Sequence, residues 1–242
     1  MSAFVLVPGF WLGAWAWDTV AEPLRAAGHT VRPVTLTGLA ERAAEGGPQV
    51  DLETHVADLT RLVTEEDLRE VVLVAHSGGM GAVTGAADRV PERVRRVVYL
   101  DSGPLPNGAT LAELNPGAVR QPVVDGWRLP MPTFEELAEA GASLAGLGPA
   151  ERAHMRERAT DQPAGTLHQP LRLTGAADRL PKTLVSCSFP LDQVRTLIAA
   201  GHPWFASLGG PEWDLLELPT GHWPMFSRPD ATARVLAEVA AG

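Results

Sequence analysis

One serine in the sequence has the neighbours that a nucleophile requires. Ser77 stands in the segment V-V-L-V-A-H-S-G-G-M-G-A-V, where it follows a continuous apolar run and begins a helical pattern. A serine on a sharp strand-to-helix turn needs small neighbours, because its backbone is strained and the following helix packs close to the strand. Gly78 and Gly79 meet that need, and Ala75 replaces the glycine that usually stands two positions before the serine. The segment predicts a nucleophilic serine; the alternative is a serine that only caps an ordinary helix.

A serine is a poor nucleophile unless a base accepts its proton. The segment L-E-L-P-T-G-H-W-P-M-F places His222 in a loop between the last predicted strand and the last predicted helix. That loop would lie at the carboxyl edge of the sheet, where the strand before Ser77 also ends. We therefore predict that His222 is the base for Ser77.

The loop after the first predicted strand, V-L-V-P-G-F-W-L-G-A-W, could bind the oxygen of a tetrahedral intermediate. Backbone N–H groups in such a loop act together with the N–H that follows the nucleophile. By position, the two donors of this oxyanion hole are predicted to be Phe10 and Gly78. Gly9 and Gly13 would allow the loop to come close to the substrate.

These segments need a framework that brings them together. Short apolar runs alternate along the chain with helical patterns, which is typical of strand–helix–strand units around a parallel sheet. The predicted strands are Phe4–Val7, Thr30–Val34, Val71–Ala75, Val97–Leu100, Thr183–Ser186 and Leu215–Leu218. The predicted helices are Trp15–Ala27, Leu52–Thr64, Gly78–Arg89, Gln193–Ala200 and Pro229–Ala241. The fold class is therefore α/β, with a mostly parallel sheet of about six strands flanked by helices in a single domain, residues 1–242.

The alternation stops between Ser102 and Pro181. Two helices are predicted in this stretch, Thr133–Ala140 and Pro149–Arg158, the first with a capping-box spacing. The stretch leaves the carboxyl end of a predicted strand, and open parallel sheets bind ligands at that edge. We interpret residues 103–181 as a helical lid over the site; the alternative is an excursion without a role.

The Ser77 segment, the P-G-F-W-L-G-A-W loop and the T-G-H-W-P-M motif together resemble the α/β-hydrolase superfamily, in particular its small esterase and hydroxynitrile-lyase-like branch. The resemblance covers both ends and the centre of the core but not the insertion, and it implies the α/β-hydrolase fold. The first loop of that branch usually begins His-Gly, and here it begins with Pro8 and Gly9. Hydroxynitrile lyases of this type carry a threonine and a lysine at the positions of Gly9 and Trp223, so cyanohydrin chemistry is not expected.

The sequence leaves open which carboxylate orients His222. In the family this acid usually follows the penultimate strand, but T-L-V-S-C-S-F-P-L-D-Q-V has no carboxylate directly after its apolar run. Asp192 comes later, where it could equally be a first-turn acid of the next helix. Asp101, in V-V-Y-L-D-S-G, follows the strand after the nucleophile strand, and some lipases of this fold take their acid from there. We favour Asp101, with Asp192 as the alternative acid; a dyad without an acid, or another carboxylate, is the third option.

Ligand pockets are mostly apolar with a few polar groups. Several residues beside Ser77, in the insertion or in loops at the catalytic edge fit such a pocket. They are predicted to form the substrate pocket, and their aromatic rings favour a hydrophobic substrate: Gly9, Trp11, His76, Trp127 and Trp223.

Composition excludes several other classes of protein. A net charge of −9 over 242 residues argues against nucleic-acid or anionic-membrane partners. The single cysteine, Cys187, excludes internal disulfides, and no motif for a metal or cofactor is present, so neither is expected. The segment M-S-A-F-V-L-V-P-G lacks the features of a secretory signal, and no apolar run approaches the roughly 20 residues of a membrane span, so a cytoplasmic location is expected. The expected partner is a small-molecule substrate; the oligomeric state is left open, with a homodimer as one option.

The leading hypothesis is a carboxylesterase-like serine hydrolase. It would cleave a small, hydrophobic carboxylic ester or thioester through an acyl-enzyme intermediate. Because one fold hosts many chemistries, two alternatives are kept. One is a cofactor-independent lyase or cyclase in natural-product metabolism. The other is a receptor-like binding protein of the same fold.

Overall fold

In the computed structural model, which describes residues 1–114 and 122–242, six parallel strands form one sheet. Two further short strands form a separate antiparallel pair. The strands are β1 (Ala3–Val7), β2 (Thr30–Pro33), β3 (Val71–His76), β4 (Val94–Leu100), β5 (Arg128–Leu129), β6 (Gln162–Pro163), β7 (Lys182–Ser186) and β8 (Trp213–Glu217). The order across the sheet is β2-β1-β3-β4-β7-β8, and β5 pairs with β6.

Helices follow most strands of the sheet. They are α1 (Asp18–Ala26), α2 (Leu52–Glu65), α3 (Met80–Arg89), α4 (Leu111–Leu114), α5 (Phe134–Glu139), α6 (Pro149–Arg158), α7 (Gly165–His168), α8 (Leu191–Ala199), α9 (Pro224–Ser227) and α10 (Pro229–Ala241). Short 3-10 helices stand at Ala14–Trp17, Ala40–Glu45, Ser77–Gly79, Pro91–Arg93 and Ala206–Gly209. The predicted fold class, a mostly parallel six-stranded sheet flanked by helices, is confirmed.

The sheet is held by burial of its central strands. Every residue of β1 and β3 is buried, as expected for apolar strands that helices cover on both faces. Helix α1 packs against α10, and α2 packs against α3. The six predicted strands are all present, with ends that differ from the prediction by up to three residues.

The register of the parallel strands aligns their carboxyl ends. Ala75 pairs with Val7 of β1 on one side, and Leu100 of β4 pairs with His76 of β3 and with Val185 of β7. The loops that follow β1, β3, β4 and β7 therefore begin side by side at one edge of the sheet. This register is what brings distant segments of the sequence together.

The insertion, residues 103–181, connects β4 to β7. It contains α4 to α7 and the β5–β6 pair, and residues 115–121 within it lie outside the described part. Helix α6 has the predicted bounds, and Thr133 caps α5 by accepting a hydrogen bond from the Glu136 N–H at 3.1 Å. Among the residues described, no helix has the length and apolar character needed to cross a membrane.

Candidate active site

The turn after β3 holds Ser77 in a conformation that few residues adopt. Its φ is +48°, in the left-handed region that is unfavourable for a residue with a side chain. The following 3-10 turn must pass close to the first loop, since a Cβ at Gly79 would lie 2.6 Å from the Pro8 carbonyl oxygen. The Ser102 hydroxyl donates to the Ser77 carbonyl oxygen at 2.9 Å. Ser77 is thus fixed at the edge of the sheet by its neighbours on both sides.

The loop between β8 and α9 carries His222 to Ser77. The His222 Nε2 atom lies 2.8 Å from the Ser77 hydroxyl oxygen. The loop is tied to the insertion, because the His222 N–H donates to the Ser143 carbonyl at 2.8 Å. The adjacent residue must be glycine, because the backbone of the insertion passes so close to Gly221 that a Cβ there would lie 2.3 Å from the Ala145 carbonyl oxygen.

Asp101 lies directly after β4 and contacts the other side of the His222 ring. Its Oδ2 atom is 2.7 Å from His222 Nδ1, and its side chain is fully buried. Three further donors come from the loop after β7: the Cys187 and Ser188 N–H groups donate to Oδ1 at 2.9 and 2.8 Å, and the Ser188 hydroxyl donates to Oδ2 at 2.6 Å. The carboxylate is therefore fixed in one orientation. Like Ser77, Asp101 has a φ of +48°.

These contacts fix the proton positions along the chain of three side chains. Burial raises the pKa of Asp101, but the hydrogen bonds and charge of His222 and the hydrogen bonds of Ser188 outweigh it and hold that pKa below its ordinary value. An ionised carboxylate only accepts, so His222 donates through Nδ1. In the neutral imidazole Nε2 then carries no proton, so it can accept a hydrogen bond from the Ser77 hydroxyl. Hydrogen bonds therefore connect the Ser77 hydroxyl, the His222 ring and the Asp101 carboxylate in one continuous line.

Two other titratable groups beside this path stay neutral. Burial, followed by the charge of His222, lowers the pKa of His76 to about 3. The His76 Nε2–H therefore donates to the His222 carbonyl oxygen at 2.7 Å, and its buried Nδ1 has no partner among the described residues. Burial, and then the negative charge of Asp101, raise the pKa of the Cys187 thiol.

The first loop packs tightly on the turn at Ser77. A Cβ at Gly9 would lie 3.0 Å from the Ser77 Cβ, and a Cβ at Gly78 would lie 2.4 Å from the Phe10 ring. The Gly78 amide belongs to the first turn of a 3-10 helix, where N–H groups have no partner within the helix. The Phe10 amide donates to no residue of the described ranges. Both amides are therefore available to an oxygen bound at this point.

A cavity of about 740 Å³ opens onto Ser77 and His222. That volume suits a small organic ligand. Four of the residues predicted for the pocket line it, namely Gly9, Trp11, His76 and Trp223. The insertion supplies further lining residues, and Phe189 adds another apolar side chain; the insertion residues include Leu114, Pro122, Pro132, Leu137 and residues 139–142.

The structure does not bring two of the predicted residues to this site. Asp192 lies in the first turn of α8 with its side chain 91% exposed, paired with Arg195 at 3.1 Å. Trp127 is not among the residues that line the cavity; its ring lies so close to Gly46 that a Cβ there would be 2.9 Å away. Its backbone is held by a tight turn and by a distant segment, since the Trp127 N–H donates to the Val124 carbonyl and the Trp127 carbonyl accepts from the Ala164 N–H.

Among the residues that the sequence reasoning missed are two that hold parts of the site by hydrogen bonds. Ser188 contacts the Asp101 carboxylate, and Gln162 of β6 accepts a hydrogen bond from the Trp11 N–H. Neither carries a sequence signal, because both reach the site through contacts between distant parts of the chain. Within the described ranges, no three side chains of metal-binding type lie close enough to hold an ion together.

Comparison with known proteins gives matches along nearly the whole chain. The model of the alpha/beta hydrolase family matches residues 4–235. A carbendazim hydrolyzing esterase from Nocardioides sp. (strain SG-4G) is 32% identical over 98% of this chain and 99% of its own length.

Solved structures share the fold at lower identity. A pyrethroid hydrolase from Sphingobium faniae JZ-2 superposes with a TM-score of 0.76 at 23% identity, over 100% of this chain and 98% of the other. Tomato methylketone synthase I, as the H243A variant complexed with beta-ketoheptanoate, gives a TM-score of 0.80 at 16% identity, over 99% and 98% of the two chains. At these sequence identities, the two structures are evidence for the fold alone.

Proposed function

The chain belongs to the α/β-hydrolase family and is a carboxylesterase-like hydrolase, and from this premise we propose that Ser77, His222 and Asp101 form its catalytic triad. The enzyme would cleave a small, hydrophobic carboxylic ester or thioester through an acyl-enzyme intermediate. The observation that carries the proposal is the unbroken hydrogen-bonded path from the Ser77 hydroxyl through His222 to Asp101 at the wall of a ligand-sized cavity.

The proposed reaction begins with attack of the Ser77 oxygen on the ester carbonyl carbon. His222 Nε2 takes the hydroxyl proton as the bond forms, and the imidazolium that results is stabilised by Asp101. The Phe10 and Gly78 N–H groups donate to the oxygen of the tetrahedral intermediate. His222 then returns the proton to the leaving alcohol or thiol, which departs and leaves an acyl group on Ser77. Water, activated by His222, releases the carboxylic acid in the same way.

The orientation of Asp101 supports its role as the acid. Its two oxygens accept hydrogen bonds from backbone and hydroxyl donors in addition to His222, so the carboxylate cannot turn away from the ring. It would hold the imidazole in the tautomer that accepts the serine proton. Asp192, with its exposed side chain at α8, has no comparable contact with His222.

The lining of the cavity supports the proposed substrate class. Aromatic side chains from the first loop, from the loop after β7 and from the residue after His222 face the cavity: Phe10, Trp11, Phe189 and Trp223. Such walls favour an apolar acyl or alcohol group. Because the Nocardioides relative is a carbendazim hydrolyzing esterase, carbendazim belongs among the substrates to be assayed, together with short p-nitrophenyl esters and a thioester.

A fluorophosphonate probe followed by mass spectrometry tests the proposal. We expect one adduct, on Ser77, in the wild-type protein, and no adduct together with a loss of at least about 10⁴-fold in ester hydrolysis in Ser77→Ala. Ser207→Ala is the control, since Ser207 lies in the 3-10 helix Ala206–Gly209 away from the cavity. A folded Ser77→Ala variant with activity within tenfold of wild type would overturn the proposal.

A further inference from the structure

Trp11, the residue after the proposed oxyanion donor Phe10, has a backbone that must be held in place. Its φ is +66°, a conformation that is unfavourable for a bulky residue. Its side chain is only 6% exposed and lines the cavity beside Ser77. A strained residue of this kind persists only where its surroundings determine the conformation.

Among the described residues, the hydrogen bonds that hold Trp11 all come from the insertion. The Trp11 N–H donates to Gln162 Oε1 at 3.1 Å, and the Trp11 carbonyl accepts from the Thr160 N–H at 3.0 Å. The indole Nε1–H donates to the Leu129 carbonyl at 3.0 Å. Of these partners, only Gln162 acts through a side chain, so it is the one that a substitution can remove without altering the backbone.

The orientation of the Gln162 amide follows from its own hydrogen bonds. Gln162 is 2% exposed, and its Nε2 donates to the Thr166 hydroxyl at 2.9 Å. That hydroxyl donates its single proton to the Pro163 carbonyl at 2.7 Å, so toward Gln162 it can only accept. The amide nitrogen must therefore face Thr166, which leaves the amide oxygen facing the Trp11 N–H.

We propose that Gln162 is a positioning residue for the oxyanion hole. It fixes the Phe10–Trp11 peptide from the insertion side, while the close contact of Gly9 with Ser77 fixes the loop from the other side. The Phe10 N–H lies between these two anchors, so its direction depends on both. This inference rests on the proposed function, and it assigns to a residue 85 positions from Ser77 a part in stabilising the transition state.

Three substitutions separate this role from a merely structural one. Gln162→Met keeps the length of the side chain and removes the acceptor; Gln162→Asn keeps a buried amide but withdraws its oxygen; Gln162→Glu keeps an acceptor. Thr174→Val is the matched control, because it removes another hydrogen bond between the insertion and the core, to Asp88 at 3.0 Å, away from the cavity.

The readouts are kcat, KM and the inhibition constant of an arylboronic acid, which forms a tetrahedral adduct on the serine. A small displacement of a catalytic group costs up to about 10²-fold in rate. We expect Gln162→Met to lower kcat by roughly 10- to 100-fold, to weaken boronic acid inhibition by a similar factor and to leave KM within about threefold. Gln162→Glu should recover part of the loss, and Thr174→Val should keep the wild-type kcat and inhibition constant.

The outcomes are distinguishable from failure of the proposed function. If the wild-type protein neither hydrolyses esters nor forms the Ser77 adduct, the proposed function itself is wrong. If the wild-type protein is active and a folded Gln162→Met keeps its kcat and boronic acid inhibition within about twofold, the role of Gln162 is refuted. Where Gln162→Met does not fold, Gln162→Asn gives the same decision by the same criteria.

Discussion

Replacing Asp101 by asparagine tests how His222 is held, because the surrounding donors dictate how the new amide must lie. In the wild-type protein, Oδ1 accepts from the Cys187 and Ser188 backbone N–H groups, and these donors cannot be reversed. The carbonyl oxygen of the asparagine must therefore take the Oδ1 position. Its NH₂ group then stands where Oδ2 was, facing His222 Nδ1 and the Ser188 hydroxyl.

This orientation forces the wrong tautomer on His222. Facing an NH₂ donor, Nδ1 can only accept, so the ring proton moves to Nε2, which faces Ser77 at 2.8 Å. A protonated Nε2 cannot take the serine proton. The corresponding change in a serine protease lowers kcat about 10⁴-fold. The same factor is expected for Asp101→Asn, and it corresponds to about 5.4 kcal/mol of transition-state stabilisation.

The assay combines kinetics with direct observation of the ring. The values of kcat and KM are measured on a p-nitrophenyl ester, folding is followed by circular dichroism, and the ¹⁵N chemical shifts of His222 report which nitrogen carries the proton. Asp192→Asn is the matched control, with kcat and Tm close to wild type expected, since its side chain is 91% exposed. A folded Asp101→Asn enzyme with near-native kcat would refute the argument.

Two further predictions concern residues packed around the proposed triad. For His76, whose pKa is lowered to about 3, the unfolded chain takes up a proton below its ordinary pKa of about 6.5 that the folded protein does not. This group should therefore lower the free energy of unfolding by about 1.4 kcal/mol per pH unit as the pH decreases from about 6.5 towards 3. Urea titrations at several pH values should show that the free energy of unfolding falls less steeply with decreasing pH in His76→Gln than in the wild-type protein. The same dependence on pH in both proteins would contradict the prediction. A Cβ at Gly78 would lie 2.4 Å from the Phe10 ring, so Gly78→Ala should lower kcat at least about tenfold. The control Gly103→Ala, whose Cβ would have no atom within 4 Å, should keep the wild-type kcat. Equal kcat values for the two variants would show that the close packing at Gly78 is not required.

The sequence was sufficient for the sheet and for the edge at which the site lies. Strands such as Val71–His76 are continuous apolar runs between turn residues, and their alternation with helices implies a parallel sheet. Parallel strands end at a common edge, so Ser77 and Asp101, each directly after a strand, were expected near one another. His222 could be assigned to the same edge because it follows the last strand.

The sequence was not sufficient for contacts between segments that are distant in the sequence. The sequence favoured Asp101 but left Asp192 open, because the hydrogen bonds that the loop after β7 donates to Asp101 have no signal in the sequence. Trp127 was expected in the pocket for its residue type, but its position is set by a turn and by Gly46, far away in the sequence. Gln162 has a buried role that no local pattern indicates.

The attachment of the insertion to the sheet has a consequence for how such a protein can diversify. β4 and β7, which it connects, are parallel hydrogen-bonded neighbours, so residues 103–181 leave the carboxyl edge of the sheet and return to its amino edge, while the pairing of the two strands sets their register. An evolving lineage could lengthen, shorten or exchange most of this segment without disturbing strand register, and thereby change which molecules fit against the aromatic walls. The freedom is bounded where the insertion contacts the site: on the proposed role of Gln162, a replacement must still offer an acceptor to the Trp11 N–H, and the carbonyl of Ser143 must still accept from the His222 N–H. Selection on substrate range and selection on rate thus act on the same segment but on different residues of it.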